Sequence, residues 1–204
     1  MAWEFPRDAV CPRDTAGLER WDGGPYRELY RIKHGIAAEL RPKSILEIGV
    51  RAGYSALAFL AACPGACYIG LDAENGAHGG QGGPWIPWAR GLLKPYNASI
   101  RITNTQHIRS LRGAFLQIWG REMGADLSLG FDLIHVDGDH TEAGCSHDLG
   151  LALGVLAPGG AVLADDYRSG GVRRAVDEFA LAHGMALEIR GSPRGEAILR
   201  TARP

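Results

Sequence analysis

The sequence predicts an α/β fold: a mainly parallel, doubly wound sheet with helices on both faces. Short apolar segments of strand character alternate with helical segments over most of the chain, and glycines or polar residues follow the apolar segments. This alternation is typical of βαβ units joined by right-handed crossovers. Because ligands bind such sheets beyond the carboxyl ends of the strands, we expect the loops at those ends to carry the function.

Hydrophobic spacing predicts the elements in order. An irregular segment, 1–25, precedes a helix at 26–40, which Pro42 ends. The apolar residues of that helix recur at helical spacing: Leu29, Ile32, Ile36 and Leu40. Strands follow at 44–49, 66–71, 100–103, 131–136, 160–164, 185–189 and 197–199, and helices at 53–62, 107–121, 141–156 and 171–183. We divide the chain into an N-terminal segment, 1–43, whose helix packs on a domain of residues 44–204.

The segment 73–97, between the second and third strands, is rich in glycine and contains Trp85 and Trp88. A glycine-rich loop that ends in aromatic residues can move and stack on a ligand, which makes 73–97 a candidate lid. In the alternative, the two tryptophans only pack the insertion against the sheet. The N-terminal aromatic residues line either a substrate cleft or a homodimer contact: Trp3, Phe5, Trp21, Tyr26 and Tyr30.

Composition excludes several classes of protein. The 204 residues are 46% hydrophobic and 22% charged, which suits one globular domain with a sizeable core. A net charge of -1 without a Lys/Arg block predicts no nucleic acid or membrane partner, and the apolar runs are too short to span a bilayer. The four cysteines lack the spacing of a zinc site. The residues 1–14 show no apolar signal core, so we expect a cytoplasmic protein.

The loop after the first strand, Glu47-Ile-Gly-Val-Arg-Ala-Gly53, opens a helix. Gly49 and Gly53 allow a ligand to approach the backbone closely. Arg51 stands where a dinucleotide-binding loop would have another glycine. Glu47 would repel a phosphate but suits an amino group, so the loop favours S-adenosylmethionine over NAD.

Polar residues also end the next two strands. Asp72 ends the second strand, where a carboxylate can accept hydrogen bonds from both ribose hydroxyls; in the alternative it caps the following turn. Asn104 and Thr105 follow the third strand and are positioned to contact an adenine edge or to cap the next helix.

Two acidic clusters follow the fourth and fifth predicted strands. Asp137 lies in Val-Asp-Gly-Asp-His140, and Asp165 and Asp166 lie in Ala-Asp-Asp-Tyr167. Since these strand ends should be neighbours, the carboxylates converge, and a hard cation such as Mg²⁺, Mn²⁺ or Ca²⁺ would neutralise them. We expect all three aspartates to be metal ligands and Asp139 to cap the next helix.

Histidines are the candidate bases of such a site. His140 can take a proton from a hydroxyl, and His147, seven residues on, is a weaker candidate. His135 lies within a predicted strand and is expected in the core.

Three motifs resemble class I S-adenosylmethionine-dependent methyltransferases: Ile45-Leu-Glu-Ile-Gly-Val-Arg-Ala-Gly-Tyr-Ser55, Phe131-Asp-Leu-Ile-His-Val-Asp-Gly-Asp-His140 and Leu156-Ala-Pro-Gly-Gly-Ala-Val-Leu-Ala-Asp-Asp-Tyr167. The chain is most similar to the family of macrocin-type sugar O-methyltransferases and cephalosporin-hydroxylase-like proteins, and more distantly to catechol O-methyltransferase. The resemblance implies a Rossmann-like sheet of seven strands with the last strand antiparallel. It implies cofactor contacts at Glu47, Gly49 and Asp72, and metal ligands at Asp137, Asp165 and Asp166.

The resemblance also sets the expected chemistry. Catechol-type enzymes have a catalytic lysine three residues after the first metal aspartate, where this chain has His140. We expect the loop residues up to Ser55, together with Asp137, to line the cofactor site. The expected reaction is methyl transfer to an oxygen of a small sugar, catechol-like or natural-product hydroxyl. The alternatives are a metal-independent methyltransferase, a non-catalytic protein that binds S-adenosylmethionine, and an NAD-dependent oxidoreductase.

Overall fold

The structure is a computed structural model that describes residues 3–14, 19, 21–22, 24–74, 85–114 and 130–201. The helices are α1 (Pro25–Leu40), α2 (Tyr54–Ala62), α3 (Trp85–Leu93), α4 (Leu111–Ala114), α5 (Glu142–Leu153) and α6 (Gly170–Ala182). The strands are β1 (Ser44–Ile48), β2 (Cys67–Asp72), β3 (Ser99–Ile102), β4 (Phe131–Val136), β5 (Leu156–Ala164), β6 (Met185–Arg190) and β7 (Glu196–Thr201). Short 3₁₀ helices lie at Arg7–Ala9, Lys94–Tyr96 and Thr105–His107.

The strands form one seven-stranded sheet in the order β3-β2-β1-β4-β5-β7-β6. Strands β1 to β5 pair in parallel, whereas β7 runs antiparallel to both β5 and β6. The predicted sheet with its antiparallel last strand is therefore confirmed. The strand order reverses between β1 and β4, so the loops that follow these two strands meet at the switch point where such sheets bind ligands.

Each face of the sheet is covered by its own set of helices. The N-terminal segment, α1, α2 and α3 pack on one face, which carries alternate strand residues such as Ile45, while α5 and α6 pack on the other face, which carries Leu46. Glu47 and His135 lie on the α1 side, where they are register partners on β1 and β4. A row of polar residues is therefore buried beneath α1.

Two predicted boundaries are wrong for local reasons. The helix predicted from 107 begins at Leu111, because the Asn104 side chain accepts a hydrogen bond from the Gln106 N–H and starts a 3₁₀ turn that the extended Ile108 ends. Residues 115–121 of that prediction lie outside the described residues. Strand β5 begins at Leu156 rather than 160, since a register shift along β4 accommodates the proline and glycine at 158–159.

None of the helices that the structure describes has both the length and the hydrophobicity needed to cross a bilayer. Residues 75–84, the centre of the candidate lid, lie outside the described part of the chain, while 85–93 form α3 against the sheet.

Candidate active site

The loops after β1 and β4 touch through their backbones. Gly49 has φ of +92°, and a Cβ atom there would lie 1.9 Å from the carbonyl oxygen of Asp137. The Gly49 N–H donates to the Leu71 carbonyl, and the Asp137 N–H donates to the Ile48 carbonyl, each at 2.8 Å. Only glycine fits this approach, which fixes Asp137 beside the glycine loop.

Asp72 connects the end of β2 to the glycine loop. Its Oδ2 accepts a hydrogen bond from the Arg51 N–H at 2.7 Å, and its Oδ1 accepts one from the Glu74 N–H at 2.6 Å. Asp72 therefore caps the turn that follows β2, which was the alternative to a contact with ribose. Each carboxylate oxygen still has a second lone pair, so the same side chain can also accept hydrogen bonds from a ribose.

The Arg51 side chain points away from the loop. Its Nη2 lies 3.1 Å from Asp14 Oδ1, and its guanidinium lies 4.7 Å from the ring centroid of Trp85. Arg51 thus joins the N-terminal segment and α3 to the glycine loop, while its backbone N–H holds Asp72.

The residues after β3 are held by a carboxylate that sequence reasoning missed. Asp148, which is fully buried on α5, accepts hydrogen bonds from Thr105 Oγ1 at 2.7 Å and from Gln106 Nε2 at 3.1 Å. Asn104 caps the 3₁₀ turn, and His147 Nε2 donates to the Thr105 carbonyl at 2.9 Å. His147 therefore supports this loop rather than the acidic clusters.

The structure brings the two acidic clusters together around His140. Its Nε2 lies 3.1 Å from Asp137 Oδ1, and its Nδ1 lies 3.3 Å from Asp166 Oδ2. The hydrogen bond to Asp137 and the charges of the nearby carboxylates raise the His140 pKa to about 9, although burial opposes the shift. Burial and Asp165 raise the Asp137 pKa to about 6. Asp139 accepts from the Thr141 N–H at 2.9 Å, but the residue that caps α5 is Thr141, whose side chain accepts from the Gly144 N–H, so the expectation that Asp139 is the cap was wrong by two residues.

Asp165 faces a lysine that the sequence analysis did not single out. Lys33, on α1, is fully buried, and its Nζ lies 3.0 Å from Asp165 Oδ2, 3.0 Å from His135 Nε2 and 3.1 Å from Ser55 Oγ. Burial disfavours its charge, but Asp165 and Glu196 outweigh burial and raise the Lys33 pKa. The one signal in the sequence is its place: Lys33 lies four residues after Leu29 and three before Ile36, on the apolar stripe of the helix.

The lysine is linked to Glu47 through His135. Burial and Lys33 lower the His135 pKa, so the ring is neutral; its Nε2 accepts from Lys33, and its Nδ1–H donates to Glu47 Oε1 at 2.8 Å. The Tyr68 hydroxyl donates to Glu47 Oε2. Burial raises the Glu47 pKa to about 8. The structure therefore places this carboxyl in the core, with both oxygens in contact with protein side chains.

Arg194, before β7, is the second cation that sequence reasoning missed. Its Nη1 lies 3.6 Å from Asp165 Oδ2, and its Nε lies 3.5 Å from Asp166 Oδ1. Asp165 Oδ1 accepts from the Asp166 N–H at 2.8 Å, so both oxygens of Asp165 already have partners within the protein.

These contacts test the fit of the expected ligands. The glycine cradle, by which we mean the touching loops after β1 and β4, lies at the switch point of the sheet, and Asp72 beside it keeps lone pairs that can accept from a ribose. These features fit a nucleoside cofactor. The expected metal set of Asp137, Asp165 and Asp166 does not fit, because Lys33 and Arg194 already hold Asp165. Among the described residues, the groups that bring three ligand atoms within 4.8 Å of one another each include a histidine: His135 with Asp137 and Asp165, and His140 with Asp137 and Asp166.

Known structures share the fold across nearly the whole chain. An O-methyltransferase from Bacillus cereus in complex with S-adenosylhomocysteine matches with a TM-score of 0.60 at 14% identity, over 97% of this chain and 84% of that one. The S-adenosylhomocysteine-bound methyltransferase PaMTH1 from Podospora anserina matches with 0.61 at 18% identity, over 99% and 91%. The O-methyltransferase TomG from Streptomyces achromogenes, involved in tomaymycin synthesis and solved with S-adenosylmethionine, matches with 0.58 at 16% identity, over 92% and 87%.

The family comparison covers the site described above. No curated protein matches the sequence. Residues 46–167, which include the glycine loop and both acidic clusters, match the family model described as a methyltransferase domain. The chain therefore belongs to the methyltransferase domain family, as its motifs predicted.

Proposed function

We propose that this chain transfers the methyl group of S-adenosylmethionine to an oxygen of a small hydroxylated molecule. The observation that carries the proposal is the contact of the Gly49 and Asp137 loops beside His140. In this proposal the contact forms part of the site of a nucleoside cofactor, next to a histidine that lies between two carboxylates. The O-methyltransferases from Bacillus cereus and Streptomyces achromogenes, which share the fold, support an oxygen acceptor.

The glycine loop and the end of β2 hold the cofactor in this proposal. The backbone at Gly49, Arg51 and Gly53 lines its site, and the remaining lone pairs of Asp72 accept hydrogen bonds from its ribose hydroxyls. Asn104 and Thr105 border the adenine. When bound, S-adenosylmethionine supplies an electrophilic methyl group on a sulfonium.

His140 handles the proton of the acceptor hydroxyl. In the neutral form of His140, the Nε2–H donates to Asp137. The unprotonated Nδ1 then takes the hydroxyl proton. Asp166, at 3.3 Å from Nδ1, stabilises the imidazolium that results. The sequence-based expectation of Mg²⁺, Mn²⁺ or Ca²⁺ is no part of this proposal, since Asp165 is held by Lys33 and Arg194.

Isothermal titration with S-adenosylhomocysteine tests the cofactor site. We expect one molecule bound per chain, and we expect Asp72→Asn to weaken binding by at least about tenfold, ~1.4 kcal/mol. Asp8→Asn, at an exposed aspartate of the N-terminal segment, is the matched control. NADH in place of S-adenosylhomocysteine should give no heat, and tighter binding of NADH would reject the proposal.

Release of S-adenosylhomocysteine from S-adenosylmethionine tests the chemistry. A panel of catechols, sugars with vicinal diols and hydroxylated aromatic acids should contain an acceptor that is methylated on oxygen. Cofactor binding without methylation of any panel member would favour the non-catalytic alternative instead.

The protonation of His140 gives a pH-dependent prediction. Because its pKa is raised to about 9, the imidazolium predominates at neutral pH, and turnover should increase with pH until the neutral base forms near pH 9. Titration of the imidazole by NMR should give a high pKa in the wild type and a lower one in Asp137→Asn, which lacks the carboxylate partner. An unchanged value in Asp137→Asn would show that this pair does not control the base.

A further inference from the structure

The proposed reaction does not use Lys33, the buried lysine of α1. Lys33 donates its three ammonium protons to Asp165 Oδ2, His135 Nε2 and Ser55 Oγ, at 3.0 to 3.1 Å, and no part of it is exposed. An ammonium with no contact to solvent cannot touch an acceptor directly. Its action is therefore exerted through Asp165, which follows β5 in the acidic cluster.

We infer that Lys33 is a positioning residue that neutralises Asp165 from inside the fold and so replaces the divalent ion that the acidic cluster would otherwise need. The inference rests on the proposed function, because it concerns the same carboxylates. It makes the site one in which the chain supplies its own fixed cations.

Both oxygens of Asp165 already have partners within the protein. Oδ2 faces Lys33 Nζ at 3.0 Å and Arg194 Nη1 at 3.6 Å, while Oδ1 accepts the Asp166 N–H at 2.8 Å. A magnesium ion coordinates a carboxylate oxygen at about 2.1 Å. An ion at that distance from Oδ2 would lie at most about 5 Å from the ammonium, where like charges repel in a site shielded from solvent.

The charges of the three carboxylates are already matched by side-chain cations. The cluster has three carboxylates, Asp137, Asp165 and Asp166, and three side-chain cations lie within 3.6 Å of them: Lys33, His140 and Arg194. A fourth carboxyl, on the buried Glu196, lies 3.9 Å from Lys33 Nζ, and burial raises its pKa well above the usual value. An added divalent ion would leave the cluster with excess positive charge beside a cofactor that is itself a cation.

Removal of Lys33 would leave Asp165 without its buried partner. Without Lys33, a carboxylate that is nearly fully buried would lose its ion pair, and the His135 Nε2 would lose its donor. His135, Asp137 and Asp165 bring three ligand atoms within 4.8 Å of one another, and a divalent ion becomes favourable there once the ammonium is gone. Lys33 and a metal should therefore exclude each other.

Manganese binding tests this exclusion, with Mn²⁺ as the probe because it takes oxygen ligands and gives an electron paramagnetic resonance signal when free. Lys33→Met should bind Mn²⁺ at least about tenfold more tightly than the wild type, which is a difference of ~1.4 kcal/mol. Mn²⁺ should also raise the unfolding temperature of Lys33→Met and not that of the wild type. Lys43→Met, at an exposed lysine just before β1, is the matched control and should behave as the wild type.

Two further variants keep the test decisive if Lys33→Met does not fold. Lys33→Met combined with Asp165→Asn removes both charges of the pair, so it should regain stability without gaining Mn²⁺ affinity. A comparison without Lys33→Met is also decisive. If the wild type binds Mn²⁺ and Asp165→Asn abolishes that binding, the inference is wrong. Titration of the wild type with S-adenosylhomocysteine does not depend on Mn²⁺. Absence of binding in that titration would reject the proposed function, whereas the Mn²⁺ experiments alone decide the inference on Lys33.

Discussion

Gly49→Ala should weaken the binding of S-adenosylhomocysteine by about a hundredfold or more, ~2.7 kcal/mol. The added Cβ would lie 1.9 Å from the Asp137 carbonyl oxygen and 2.5 Å from its carbonyl carbon, and both are backbone atoms that no rotamer change can move away. A φ of +92° is also strained for an L-residue. The loops after β1 and β4 must therefore separate, and the cradle opens at the place where the cofactor would be held.

The control for this variant is Gly65→Ala, a glycine with no atom within 4 Å of the position of an added Cβ. Isothermal titration and thermal unfolding of both variants separate a lost cradle from a lost fold. Gly65→Ala should bind as the wild type does. If Gly49→Ala also bound as the wild type, the contact of the two loops would have no part in holding the cofactor.

Local sequence patterns predicted most of the fold because strands and helices depend on nearby residues. The apolar segments that became β1 and β4 were placed to within one residue, and the acidic clusters after β4 and β5 were expected at neighbouring strand ends. The start of the helix after β3 was misplaced because the Asn104 cap, a single side-chain hydrogen bond, overrides the amphipathic pattern that continues through it.

The site was predicted less completely because its cations come from distant parts of the chain. Lys33 and Asp165 are 132 residues apart, and no spacing in the sequence reports a contact of that range. The clustering of the carboxylates was predicted from the topology of parallel sheets, but the nature of the charge that neutralises them was not. A lysine on an otherwise apolar helical stripe was the available signal, and it needs a buried acid as its partner before it can be interpreted.

Glu47→Gln should remove a pH-dependent loss of stability that the wild type shows between about pH 4.5 and 8. Burial raises the pKa of Glu47 from 4.5 to about 8 in the folded protein. Within this interval the folded state holds a proton that the unfolded state has released, so the free energy of unfolding falls as pH rises, by up to ~1.4 kcal/mol per pH unit. Glutamine cannot titrate, and its carbonyl oxygen can still accept the His135 Nδ1–H.

Urea unfolding at pH 5, 6, 7 and 8 measures this slope for both proteins, with Glu178→Gln at an exposed position of α6 as the control. Because the lowered pKa of His135 acts with the opposite sign in both proteins, the difference between the two slopes isolates Glu47. Parallel slopes would mean that the carboxyl is already ionised in the fold. A steeper slope for the wild type would show that Glu47 keeps its proton in the fold, where it lies between Tyr68 and His135 beneath the glycine loop.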